Sequence, residues 1–203
     1  MDIDKTWACM ENVWQAEAEA VSSLSGAVDK EVLLAITELI LNCKGKVIFS
    51  GCGTSGAAAR KAAHTLNCVE APAAFISPSE ALHGGLGILR SDDILVLLSK
   101  GGRSSEINSF IAPCKRAGAR LVAVTEREDS ELAVAADYLL LLVTEQETKP
   151  WPLATSSILK VIAVFDAIAQ SIALHKGRDK SEFYHIHPGG AVGQALDPTK
   201  KAE

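Results

Sequence analysis

The chain is expected to fold as an α/β protein, a three-layer α-β-α arrangement around a doubly wound, five-stranded parallel sheet, with helices at the N-terminus. Three observations predict this. Short β-rich runs recur at Lys46–Ser50, Ala73–Ile76, Asp93–Leu98, Leu121–Thr125 and Tyr138–Val143. Helix-compatible segments lie between most of them, notably Gly56–Leu66 and Ser105–Ala117. Most of the strand runs are apolar at successive positions, which marks strands buried on both faces, as in parallel sheets covered by helices. Right-handed crossovers then leave few strand orders other than the doubly wound one.

Two helices precede the sheet, at about Asp4–Ser25 and Asp29–Cys43. The second carries Val32, Leu33, Ile36, Leu39 and Ile40 at the spacing of one helix face. With 203 residues the chain is too short for two domains of ordinary size. A single domain is expected, with N-terminal helices over about 1–44, an α/β core over about 45–177 and a tail over 178–203. Pro152–Lys176 reads as a long helix, apolar around most of its girth. Such a helix is hard to bury within one subunit of this size, which predicts a homo-oligomer, a dimer or tetramer. The tail segment Tyr184–Gly193 reads as irregular and glycine-rich.

Composition narrows the function. An apolar share of 48% excludes a disordered chain. Twenty basic against twenty-five acidic residues, with no Lys/Arg run, argue against a nucleic-acid partner. The N-terminus lacks the basic-then-apolar pattern of an export signal. The most apolar stretch, Ile158–Leu174, contains Lys160, Asp166 and Gln170, so no membrane partner is expected. Cys9, Cys43, Cys52, Cys68 and Cys114 are odd in number and include no CxxC pair. They read as reduced thiols of a cytoplasmic protein.

Ligands of open parallel sheets bind at the carboxyl ends of the strands, where strand order reverses. Two strand ends carry glycine-rich polar turns that open into helices: Ser50-Gly-Cys-Gly-Thr-Ser-Gly56 and Ser99-Lys-Gly-Gly-Arg-Ser-Ser-Glu106. Glycine allows close backbone approach, and a helix N-terminus favours an anion. Ser50, Gly51, Thr54 and Ser55 of the first loop, with Ser99, Lys100, Gly101, Arg103 and Ser104 of the second, are candidate phosphate contacts. Each loop alone also reads as a plain turn with helix-capping serines. The first loop matches GxGxxG at Gly51, Gly53 and Gly56. However, Ser77 and Pro78 stand where a ribose-binding acid would close the second strand, so a phosphate ester is favoured over a dinucleotide.

The ordered set GCGTSG, SPSEALHGGLG, SKGGRSSE, TSS and HPGGAVG resembles the sugar isomerase (SIS) domain, from about Lys46 to Leu196. Within that family the chain is most similar to the arabinose-5-phosphate isomerases, in their shorter form without CBS modules. The resemblance implies a flavodoxin-like SIS fold. It also implies a phosphosugar partner held by the SKGGRSSE loop, and aldose–ketose isomerisation through an enediol(ate), as between D-arabinose 5-phosphate and D-ribulose 5-phosphate. Lys100 replaces a usual Asn, Gly101 a usual Ser, Gly85 a usual Asp, and Thr54 the lysine of the family's active site.

Isomerisation needs an acid–base pair and no redox cofactor, so no cofactor is expected, and no compact ligand spacing predicts a metal. The ionisable residues matched to the family are His187, Glu106, Glu147 and His83. His187 is favoured as the main acid–base group, donated across a subunit interface. Glu145 is an alternative to Glu147; His185 ranks lower and His64 reads as structural. Ser156, within Thr155-Ser-Ser157, either contacts sugar hydroxyls or helps begin the long helix. Two other functions remain open: a phosphosugar sensor without turnover, favoured by Thr54, and an aminosugar-phosphate isomerase or hydrolase, suggested by GCGTS.

Overall fold

The computed structural model describes residues 1–151, 153–177 and 180–196. Its centre is a sheet of five parallel strands, β1 (Val47–Gly51), β2 (Ala73–Phe75), β3 (Ile94–Leu98), β4 (Arg120–Thr125) and β5 (Tyr138–Leu141), in the order β2-β1-β3-β4-β5. All five strand runs predicted from sequence are present. β1 and β3 pair from Val47↔Ile94 to Gly51↔Leu98 and are buried along their whole length. Three helices come before the sheet: α1 (Ile3–Ser22), α2 (Leu24–Ala27) and α3 (Lys30–Leu41). Between the strands lie α4 (Gly53–Asn67), α5 (Pro78–Leu82), α6 (Ser105–Asn108), α7 (Ile111–Ala117) and α8 (Glu131–Ala135). After β5 come α9 (Ser156–Lys176), α10 (Lys180–Ile186) and α11 (Gly190–Leu196).

Alternation along the strands divides the core in two. Val47, Phe49, Val96, Leu98, Val122 and Val124 pack with residues of α3, α4 and α9. Ile48, Leu95, Leu97, Leu121 and Ala123 pack with Ile107, Phe110, Ile111, Cys114 and Leu132 on the opposite face. Alanines make the first layer thin: Ala58, Ala59 and Ala62 are wholly buried in α4 and let it lie close to the sheet and to α9. Phe165 of α9 meets Phe49 edge-on at 5.1 Å.

The boundaries differ from expectation where backbone chemistry intervenes. α4 starts at Gly53 rather than Gly56, because Cys52 is still extended and Gly53 turns the chain at φ 54°. The helix predicted over Ser105–Ala117 is broken between α6 and α7. Pro113 has no N–H for the Ser109 carbonyl, and its ring crowds that carbonyl. α9 begins at Ser156 rather than Pro152, which lies outside the described residues. The segment expected to be irregular forms α10 and α11, which pack mainly on each other. Its glycines build the connection: Gly190 has φ 71°, and a Cβ on Gly193 would meet the His187 carbonyl oxygen at 2.5 Å.

α9 has the length and apolarity of a membrane span, yet Val164, Phe165, Ile168, Ala169 and Ile172 are buried against the sheet layer. Its internal charges are used. Asp166 pairs with Lys61 of α4, and the buried Lys160 donates to the Val143 carbonyl at 2.7 Å. α1 lies along α9 and buries none of its own residues, leaving Ile3, Trp7, Met10 and Trp14 exposed.

At the amino-terminal edge of the sheet, Asp93 is 2% exposed. It accepts Lys46 N at 2.9 Å, Arg90 N at 2.8 Å and the Lys46 ammonium at 2.8 Å. Burial pushes its carboxyl up, but Lys46 and the Arg90 amide outweigh that and hold it below its ordinary value of 3.8. The lowered value means that this stabilisation is present above the ordinary carboxylate range and is lost as pH falls through it. Asp93→Ala is expected to cost about 2–4 kcal/mol at neutral pH, by stranding two amides and an ammonium. In urea melts the gap from the unsubstituted protein should narrow as the pH is lowered into the acid range.

Candidate active site

Parallel strands deliver their carboxyl ends to one edge, and the crossovers from β1 and β3 leave on opposite faces. The two glycine-rich loops therefore diverge over the β1–β3 boundary. Gly51 and Gly56 make the first loop possible. A Cβ on Gly56 would lie 2.6 Å from the Gly51 carbonyl oxygen, and one on Gly51 would lie 2.8 Å from the Ser55 carbonyl carbon. The Ser50 hydroxyl is fully buried and donates to Ile76 O at 2.8 Å, so it ties β1 to the end of β2. Thr54 is exposed in the first turn of α4, Ser55 is half-buried, and no side chain caps this helix. Its first-turn amides are among those that a helix N-terminus leaves without an intrahelical partner, the kind of donor an anion can take.

The second loop is held from beneath. Lys100 O accepts Glu126 N and Thr125 Oγ1, both at 2.9 Å. Gly102 N donates to Ser99 O at 3.0 Å, and Gly102 adopts φ 62°. The Ser99 and Ser104 hydroxyls lie 3.2 Å apart, forming the centre of a cradle. Gly101 is open, since a Cβ there would meet nothing within 4 Å. Ser55, Ser99, Lys100, Thr125, Glu126 and Ser157 share the lining of a cavity of about 30 Å³ beneath the loops.

Glu147 joins this cluster from the segment after β5. Its Oε1 takes the Lys100 ammonium at 2.5 Å, and Oε2 accepts Thr155 N at 3.1 Å and Ser157 N at 3.4 Å. Glu147, not a Thr155 or Ser156 hydroxyl, thus caps α9; a carboxylate is the stronger partner for a helix N-terminus. The Thr155 hydroxyl instead meets that of Thr148 at 2.8 Å. Ser156 Oγ is buried without a hydrogen-bond partner among the described residues. Burial raises the Glu147 carboxyl, but Lys100 and Ser157 prevail and hold it below the ordinary glutamate value. Of the two glutamates left open by the sequence, Glu147 is the one joined to Lys100, while Glu145 is exposed.

The remaining candidates are placed unevenly. Glu106, in the first turn of α6, accepts Ser105 Oγ at 3.2 Å. Burial first, and then the Glu106 charge, push the Cys52 thiol up. Arg103 is engaged by Asp129 at 3.3 Å and exposed, so its charge is already partnered at the loop's outer edge. His83 is exposed at the end of α5, which packs against α6. His187 is tied to its own helix: its N–H donates to Phe183 O at 2.9 Å and its ring stacks on Phe183 at 5.2 Å. His185 meets Tyr184 edge-on. Glu126 and Thr125 were not anticipated, although they close β4 and the strand-end rule applied to β1 and β3 would have reached them.

The SIS domain model matches residues 40–171, and the chain belongs to the SIS domain family. Arabinose 5-phosphate isomerase KpsF of Escherichia coli is 38% identical over 181 residues, covering 89% of this chain and 55% of that protein. The chain thus spans about half the length of the curated relatives it matches. A candidate sugar-phosphate isomerase from Listeria monocytogenes superimposes with a TM-score of 0.91 at 42% identity, over 93% of this chain and all of that one. Protein c3406 of Escherichia coli CFT073, solved in complex with arabinose 5-phosphate, has a TM-score of 0.87 at 28% identity and the same coverage.

Gly102 is the loop's least replaceable residue. A Cβ there would overlap Ser130 Oγ, at a backbone conformation that already disfavours any side chain. Gly102→Ala is expected to cost about 1–3 kcal/mol in thermal or denaturant unfolding and to weaken inorganic phosphate binding in calorimetry; Gly101→Ala should leave stability nearly unchanged.

Proposed function

We propose that the chain is a sugar-phosphate isomerase that interconverts an aldose phosphate and a ketose phosphate through an enediol(ate), with D-arabinose 5-phosphate and D-ribulose 5-phosphate as the pair. One observation carries this reading: the Ser99 and Ser104 hydroxyls lie 3.2 Å apart, and Lys100, the residue after Ser99, is ion-paired with the Glu147 carboxylate. A phosphate handle and a proton-transferring group therefore share one site. The likeness to KpsF and to the arabinose 5-phosphate complex supports the same substrate class.

The phosphate binds the α4 amides and the Ser99, Ser104, Thr54 and Ser55 hydroxyls, and that binding energy positions the far end of the sugar. A base removes the proton from C2, and the electron pair moves to the C1 oxygen as the enediolate forms. The proton returns at C1 while the O2 proton passes to O1, which leaves the ketose. Glu147 and Glu106 are the carboxylates available for this transfer. His187 is the relay between oxygens, delivered by a second copy: the helix before it packs on α11, and its Nδ1 is buried with no hydrogen-bond partner among the described residues. The exposed Trp7, Met10 and Trp14 on α1 support a homo-oligomer, a dimer or tetramer, and five unpaired cysteines fit a cytoplasmic setting.

Thr54 favours a second reading, in which the same cradle senses a phosphosugar without converting it. Incubation with pentose and hexosamine phosphates in deuterated water separates the two. Deuterium beside the carbonyl together with ketose formation is the expected result, and His187→Ala and Glu147→Gln should each lower kcat by about 10²–10⁴-fold. Binding with no exchange on any sugar would overturn the isomerase in favour of the sensor. For the assembly, sedimentation should show an oligomer that Trp7→Glu with Trp14→Glu shifts toward smaller species.

A further inference from the structure

Lys100 is the single cation among the residues lining the cavity beneath the loops. Its ammonium lies 2.5 Å from Glu147 Oε1 and 3.7 Å from Glu126 Oε1. Its backbone is fixed, because Lys100 O holds both Glu126 N and Thr125 Oγ1. The side chain, by contrast, is 41% exposed and follows Ser99 directly, so its charge rides on a flexible stem rooted next to the serine pair. Glu147 is held differently. The Thr155 and Ser157 amides keep its Oε2 in place whether or not Lys100 occupies Oε1.

We infer that Lys100 is a shared counterion, for which the phosphate of a bound ester competes with Glu147. The inference rests on the reading that this cradle takes a phosphate ester. A phosphate dianion attracts an ammonium more strongly than one carboxylate does, and the serine pair places it within the reach of the stem. As Lys100 turns to the phosphate, Glu147 keeps its position on the α9 amides but loses its one charged donor, which makes it a better proton acceptor. Occupancy of the handle site is thereby coupled to the basicity of the group that acts on the sugar. Lys100 is a specificity residue for the dianionic handle and acts on Glu147 through its charge, while the α9 amides fix where Glu147 sits.

Competition predicts opposite effects from the two partners, whereas a purely structural pair predicts losses from both. Calorimetric titration of inorganic phosphate into the full chain provides the test, using the unsubstituted protein, Lys100→Met, Lys100→Arg, Glu147→Gln and the Lys100→Met/Glu147→Gln double variant. Lys100→Met should weaken phosphate binding about tenfold, the size expected for one charge-assisted hydrogen bond, and Lys100→Arg should keep most of the affinity. Glu147→Gln should tighten binding several-fold, and that gain should vanish once Lys100 is Met. Loss or no change in Glu147→Gln, or a gain that persists without Lys100, would overturn the proposal. If Lys100→Met does not fold, Glu147→Gln decides alone by the direction of its change. The isomerase reading fails separately: this binding pattern without turnover of any phosphosugar would sink it and leave the competition for Lys100 standing.

Discussion

The chain leaves β1 toward one edge of the sheet and β3 toward the other, and the chemistry of the molecule depends on that reversal. Because both crossovers are right-handed, their helices must take opposite faces, so the loops above β1 and β3 part and leave a crevice. Close packing then makes glycine necessary. Gly51 and Gly56 let the first turn of α4 sit on the end of β1, and Gly102 lets the second loop pass Ser130. A sheet of the same strands with both crossovers on one face would bury these turns beneath helices.

Charge is used in two ways at the two edges of the sheet. Asp93 is enclosed and fully occupied by two amides and an ammonium, as a structural carboxylate should be. Glu147 shares its oxygens between a helix N-terminus and a lysine that remains exposed to solvent. The first arrangement locks two turns together. The second leaves one partner exchangeable, as the proposed proton-transfer role of Glu147 would need.

The outer helices carry the unfinished part of the structure. α1 is a long helix with no buried residue, and α10 with α11 leans mostly on itself, yet His187 sits in this second unit. Buried apolar area stabilises a helix only when something covers it. The tryptophans and methionine of α1 stay exposed, which is what led to the proposed oligomer.

Hydrophobic patterning was legible in the sequence because the parallel sheet demands it. Strands buried on both faces are apolar at successive positions, as in β1 and β3, and the recurrence of such short runs exposed all five strands and the two loops after β1 and β3. The family resemblance pointed to Ser99 and Ser104 from motif order and left Glu147 and Glu145 as alternatives. What sequence could not reveal was how side chains separated along the chain share their charges. Glu147 as the cap of α9, Lys100 bridging to it across 47 positions, and Arg103 spent on Asp129 are decided by which donors lie nearest in space. Glycines in the tail misled for a related reason: the residue types that loosen an isolated segment also allow a tight turn, and only the packing of α11 against His187 and Pro188 distinguishes the two.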